Sequence, residues 1–192
     1  MGEYQPLITD VKNAAYNEDG SINCDVKPDG VDGYLPYTAS QADPTEFGRL
    51  LWKQLTNGTW GVPVPFKATE AMIAAAREQK CGEINAWRDA QENAGYTFSF
   101  RERNWDYGKA AQARLAPVSA LAKSGQLPEG FFWTDADNRD VPVTAEDILA
   151  LDAAMTGAMV AKGFEIHRHQ RELKEALDKL STLEEIRAFR VE

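Results

Sequence analysis

Phe131-Phe132-Trp133-Thr134-Asp135-Ala136-Asp137-Asn138-Arg139-Asp140-Val141-Pro142-Val143-Thr144-Ala145-Glu146-Asp147 is the stretch on which the reading of the fold turns. It opens on three aromatic residues and runs into a polar cluster. Asp and Asn side chains bond their own backbone and tolerate unusual dihedrals, so such a cluster marks a sharp turn. A short β-prone segment at Val141 and Val143 follows, and then Thr144, with Asp147 three residues on, offers a helix cap. Helical patterns lie on both sides. The stretch is therefore expected to pin helices against a small hairpin, its short strand pairing with Phe98–Phe100.

Beyond the cap lies the longest apolar pattern of the chain: Ile148, Leu151, Met155, Met159, Ile166, Leu173, Leu177 and Leu180 advance mostly by three, four or seven. Unbroken, it makes one helix far longer than the usual ~8–20 residues, and Gly157 and Gly163 mark where it would bend or break. Thr182 with Glu185 caps a short final helix. Upstream, Thr69 to about Asn93 reads as helical, with Met72, Ile73, Ala76, Ile84 and Trp87 on its apolar side. Gly82 weakens its middle by about 1 kcal/mol relative to Ala. Tyr96–Phe100 alternates as a strand does, and Arg101–Asn104 turns it back through Trp105. A further helix over Lys109–Lys123 contains Pro117, which is expected to kink it or end its first part.

The chain begins differently. Over residues 4–37, Asn17-Glu18-Asp19-Gly20 separates Leu7, Ile8 and Val11 from the alternating Ile22, Cys24 and Val26. Asp-Gly between such segments is a hairpin signal, so two or three antiparallel strands are expected. Asp43, Pro44 and Glu46 read as cap, first helical residue and capping-box partner of a helix carrying Phe47, Leu50, Leu51 and Leu55, which Asn57-Gly58 ends. Gly61-Val62-Pro63-Val64-Pro65-Phe66 cannot continue a helix and reads as the boundary. The fold class is α+β and helix-dominated. Residues 1–62 form a β-rich module with one helix, and residues 67–192 form a mainly helical domain with a short antiparallel hairpin or sheet and a long C-terminal helix.

The formal charge is −9 over 192 residues. It divides as −5 over residues 1–66 and −4 over residues 67–192, so neither part offers the basic stripe that phosphate tracking needs, and nucleic acid is not an expected partner. Cys24 and Cys81 stand far apart without a CxxC or Cys/His pattern, and read as two reduced thiols. No signal segment opens the sequence and no apolar run nears the ~20 residues of a membrane span, so a soluble protein made in the cytoplasm is expected.

Few residues point to chemistry. His167 and His169, two apart, would face different sides of a helix, whereas a helical metal pair needs a spacing of three or four. Asp135–Asp140 with Glu146 imitates a calcium loop, but its sixth position is Asp140 where the sharp turn needs glycine, and Arg139 stands at a ligand position. Asn57-Gly58-Thr59 matches a glycosylation acceptor and reads as a helix stop. No GxSxG, phosphate-loop or dinucleotide motif occurs. No catalytic, cofactor-binding or metal-binding residue is therefore expected, and no enzyme. Trp and Tyr are enriched at binding hot spots. Trp60, Trp105 and Trp133 are the aromatic candidates for an interface, joined by Met159, Ile166 and Leu173 on the long helix. Lys162 and His169 lie close to that helical seam and make it impure as a coiled coil.

Several of these features together resemble tail-associated proteins of tailed bacteriophages and prophages. About Ala68 to Val191 resembles a domain of unknown function common in phage tail proteins. It does so through Phe132–Asn138, the Val141–Asp147 strand-to-helix step, Leu173–Leu177 and Thr182–Arg187. The first part is similar to N-terminal segments of tail-fibre and tail-assembly proteins through Pro36–Ala39, Asp43–Gly48 and Asn57–Gly61. The resemblance implies a tail-fibre component, connector or fibre-assembly chaperone that works by contact with tail or tail-fibre proteins. It further implies a homo-oligomer, since tail fibres are commonly trimers, made in the bacterial cytoplasm and placed in the virion tail. The alternative is a small phage protein that binds a host factor such as a defence component.

Overall fold

Asp19-Gly20 turns the chain as alternating segments on either side require, and the first sheet follows from it. A computed structural model describes residues 7–192, so the first residues of the β-rich reading, 4–6, lie outside the described part. Strands β1 (Ile8–Tyr16), β2 (Ile22–Pro28) and β3 (Leu35–Ala39) form an antiparallel sheet in that order. Tyr16 pairs with Ile22 across the turn, whose Gly20 has a φ of 82°. Asp19 accepts from both the amide and the hydroxyl of Ser21. One face of β2 presents Ile22, Cys24 and Val26 to a core shared with Val11, Ala39, Leu51 and Leu55.

Helix α1 (Glu46–Thr56) supplies Leu51 and Leu55 to this core. Its cap is Thr45, whose side chain accepts from the Gly48 amide, and not Asp43, the residue expected from the sequence. Asp43 instead sits buried one turn outside the helix. It accepts from the Thr45 amide and hydroxyl and from the Tyr37 hydroxyl, while Arg49 donates to its carbonyl. Gly48 is what makes room: a Cβ there would overlap the Asp43 carboxylate. Trp60 packs on the same core and donates to Gln54. Val64 then bonds both ways with the edge of β1, donating to Ala14 and accepting from Tyr16. Its neighbours Pro63 and Pro65 have no N–H to offer, which blunts that edge against further strand addition.

The chain divides into Met1–Glu70 and Ala71–Glu192. The division falls after the 63–66 stretch read as the boundary, because Val64 is tied to β1. The second unit is the helix-dominated part of an α+β protein. Helix α2 (Glu70–Asn93) runs unbroken through Gly82. Strands β4 (Tyr96–Phe100) and β5 (Arg103–Tyr107) form a hairpin whose two turn residues, Arg101 and Glu102, have φ values of 49° and 60°. Helix α3 (Lys109–Lys123) continues through Pro117 and is not ended by it. Strands β6 (Phe132–Thr134) and β7 (Asp140–Pro142) pair with one another. The partner expected for Val141 was Phe98–Phe100; the observed one is Trp133, and β4 pairs with β5 instead.

Helix α4 (Ala145–Asp178) is one element of 34 residues, continuous through Gly157 and Gly163, and α5 (Leu183–Ala188) follows it. Both begin with a full capping box, Thr144 with Asp147 and Thr182 with Glu185. The N-terminal half of α4 packs on α3 through Leu115, Ile148, Leu151 and Met155. Its C-terminal half is tied to α2: Arg77 donates to the Leu177 and Leu180 carbonyls, and Gln170 donates to Asn85.

Two glycine substitutions should move stability in opposite directions. Gly48→Ala must displace Asp43 and its network, and overpacking of this kind costs roughly 1–3 kcal/mol. At Gly82 no atom lies within 4 Å of the added Cβ, so Gly82→Ala should gain up to about 1 kcal/mol. Denaturant unfolding of the two variants checks both signs.

Candidate functional site

The stretch 131–147 forms one wall of an open cleft of about 400 Å³, lined among others by Asp106, Arg114, Phe131, Trp133 and Met155. A three-residue strand pair is not stable by itself. This one is held by Asp135, which is 4% exposed. The Asp135 carboxylate accepts from the amides of Asp137 and Arg139 at 3.0 and 2.9 Å and from Arg103 at 3.0 Å. Asn138, at φ 59°, completes the turn those bonds close. The Ala136 amide also donates to the Asn104 carbonyl, so the β6–β7 turn is fastened to the end of the β4–β5 hairpin. From the same hairpin Arg101 reaches Asp147, the acid of the α4 capping box.

These donors hold both carboxyls below the ordinary carboxylate range. For Asp135 the Arg139 amide is the largest cause, and Arg103 adds to it against the effect of burial. For Asp147 the Thr144 amide and hydroxyl lead, with Arg101 behind them. Asp135 thus takes three hydrogen bonds from the fold. The acidic run that imitates a calcium loop works as a hydrogen-bonded turn.

The cleft is mixed in character, its aromatic wall facing Asp106, Arg114, Thr134 and Asn138. Phe131 and Trp133 stack with centroids 6.4 Å apart and an interplanar angle of 28°. Phe132, on the opposite side of β6, is 52% exposed. Asp106 and Arg114, both exposed, stand at its lip. An aromatic wall beside charged and polar groups suits a partner segment that presents both apolar and polar groups.

Of the six residues named from sequence as interface candidates, only Trp133 borders this cleft. Trp105 is 5% exposed, packs in the core and donates to the Phe100 carbonyl. Ile166 is also 5% exposed, and Met159 and Leu173 are half-buried on α4. Trp60 belongs to the first unit's core. Trp105 and Ile166 are thereby withdrawn as interface residues, because the chain's own packing covers them. His167 is exposed, whereas His169 lies against Trp87 with centroids 4.8 Å apart, and its Nε2 is 2.7 Å from the Glu192 carbonyl oxygen. Among the described residues no group of three or more His, Cys, Asp or Glu is arranged to hold a metal ion. Cys24 and Cys81 are free thiols, and burial pushes Cys24 up to about 11. Among the described residues no helix is long and apolar enough to cross a membrane. Arg101, Arg103 and Gly48 were missed from sequence. Arg101 and Arg103 look like ordinary turn residues until their carboxylate partners, more than 30 positions away, are known.

Lowered carboxyl values stabilise the fold above the unfolded-state range of about pH 4, and that contribution is lost as pH falls through the lower folded values. Asp135→Asn should therefore melt at a lower temperature than the parent at neutral pH and show a flatter loss of stability on acidification. Parallel pH–melting curves for both chains that keep a constant gap would contradict this. Trp133→Ala, at a half-buried site, should cost roughly 2 kcal/mol, below the usual loss for a fully buried Trp.

Comparison with known families gives one match. Residues 75–191 fit the model of a domain of unknown function (DUF4376). No curated protein and no solved structure matches the chain. The family match covers well over half of the 192 residues and falls within the second unit, so the chain belongs to the DUF4376 family.

Proposed function

We propose that the protein is a structural or assembly component of a phage or prophage tail, acting by protein–protein contact and not by catalysis. The observation that carries this reading is the cleft beside the β6–β7 hairpin. It joins a stacked Phe131–Trp133 wall to a charged rim and an exposed Phe132, on a support that Asp135 and Arg103 hold in place. A rigid aromatic hairpin of this kind presents contact area at low entropic cost. The first unit adds to the reading. The residues through which it resembles tail-fibre segments, Tyr37, Asp43, Gly48, Asn57 and Trp60, make the sheet–helix contacts and caps of that unit. They describe a scaffold, as an attachment module needs.

On this reading the partner is a tail or tail-fibre protein. The protein is made in the bacterial host and carried into the particle. Mass spectrometry of purified virions should find it in stoichiometric amounts with other tail components. Phe132→Asp, at an exposed position, should keep the melting temperature and lower incorporation. Absence from virions, together with recovery bound to fibre proteins in infected-cell lysates, would assign it to assembly. Recovery with a host protein alone would replace the tail reading by the host-factor one.

A further inference from the structure

The oligomer expected from the apolar pattern of α4 would use Met159, Ile166 and Leu173, yet these face the chain's own interior or its margin. A different face of the same helix is open from Ala153 to Phe164, with Ala150 half-buried at its start. Ala150, Ala153, Gly157, Val160 and Phe164 advance by three and four, the repeat of one helix face in contact with another helix. Val160 is 69% exposed and Phe164 68%, and no charged residue interrupts this line from Ala150 to Phe164. Gly157 sharpens the observation. Glycine inside a helix costs about 1 kcal/mol relative to Ala. No atom lies within 4 Å of the position its Cβ would take, so packing within the chain does not require it. The missing Cβ leaves room there for a second helix to approach closely.

The charges flanking this face indicate the occupant. Glu146 lies eleven residues before Gly157, and Arg168 eleven residues after it, on the same side of the helix. At 1.5 Å per residue each stands about 16 Å from Gly157. Two such helices laid antiparallel about a two-fold axis at Gly157 bring each Glu146 level with the other copy's Arg168. The same register sets Phe164 against Ala150 and Val160 beside Ala153, a large residue on a small one on either side of a central Gly157 pair. A parallel pair would instead set Glu146 on Glu146 and Arg168 on Arg168. Among the described residues Arg168 pairs with the exposed Glu172 at 3.7 Å, a loose pair that it can leave.

We infer that this face of α4 binds a second copy of the chain, antiparallel, in a two-fold dimer centred on Gly157. Isologous contact of this kind is the commonest closed symmetry of soluble oligomers. It gives the exposed Val160 and Phe164 an apolar partner. The inference does not depend on the tail reading.

Sedimentation equilibrium on the full-length chain tests it. At tens of micromolar the parent should sediment at twice its 21.3 kDa mass. Phe164→Arg should give a monomer with unchanged helical circular dichroism. Glu146→Arg and Arg168→Glu should each weaken association about tenfold, and the two together should restore it. Both charged positions are exposed, so this exchange carries the test alone if Phe164→Arg fails to fold. A strict monomer would overturn the inference. So would a dimer indifferent to Phe164→Arg, or a double exchange that fails to restore association.

Discussion

A buried carboxylate must find donors or lose its charge, and in this protein the donors for Asp135 decide how the second unit is assembled. Its turn lies between strands too short to pair stably without help. The bonds from Asp137, Arg139 and Arg103 close the turn and join it to the neighbouring hairpin in one step. Arg101, two residues from Arg103, does the same for the Asp147 capping box. One two-residue hairpin turn with left-handed backbone therefore positions both the aromatic cleft and the start of a 34-residue helix. Removal of Arg103 would leave the buried Asp135 without a cation, whereas the part-exposed Asp147 would keep its Thr144 donors and solvent.

The first unit solves the same problem with a smaller device. Asp43 is buried because Gly48 has no side chain, and its oxygens accept hydrogen bonds from the hydroxyls of Tyr37 and Thr45. Tyr37 in turn meets Phe47 edge to face, with centroids 5.5 Å apart. Sheet and helix are thus clasped at the helix's first turn by polar groups over an apolar core. The core itself is small, and each fully buried Leu or Ile in it contributes about 1.5–3 kcal/mol. A misplaced carboxylate would offset much of that.

What could be read from the residues follows the range of the interaction. Thr144 with Asp147 and Thr182 with Glu185 are local patterns, and both caps stand where spacing puts them. The alternation of Ile22, Cys24 and Val26 likewise shows its buried face directly. The pairing of β7 was misassigned because one short segment can join any neighbouring strand, and only the turn chemistry of Asp135 selects β6. Asp43 was taken for the α1 cap because Asp-Pro-x-Glu looks like one; Thr45 wins because Asp43 is drawn inward to Tyr37. Pro117 signals a kink or an end, and the glycines of α4 a bend or a break, but packing between α3 and α4 and of α4 on α2 overrides the ends and breaks in both helices.

The aromatic and apolar candidates for a site fared worst, and for a physical reason. Periodicity reports that a face is apolar; it does not say whether the cover comes from the same chain or from another. Met159, Ile166 and Leu173 make the stronger pattern, and the chain's own packing takes it up. Ala150, Gly157, Val160 and Phe164 make a weaker one, hidden in sequence because small residues score low in any hydrophobic count. Burial reverses their order of interest. Val160 and Phe164 stay exposed beside a glycine that leaves room for close approach, and they are the ones with contact left to make.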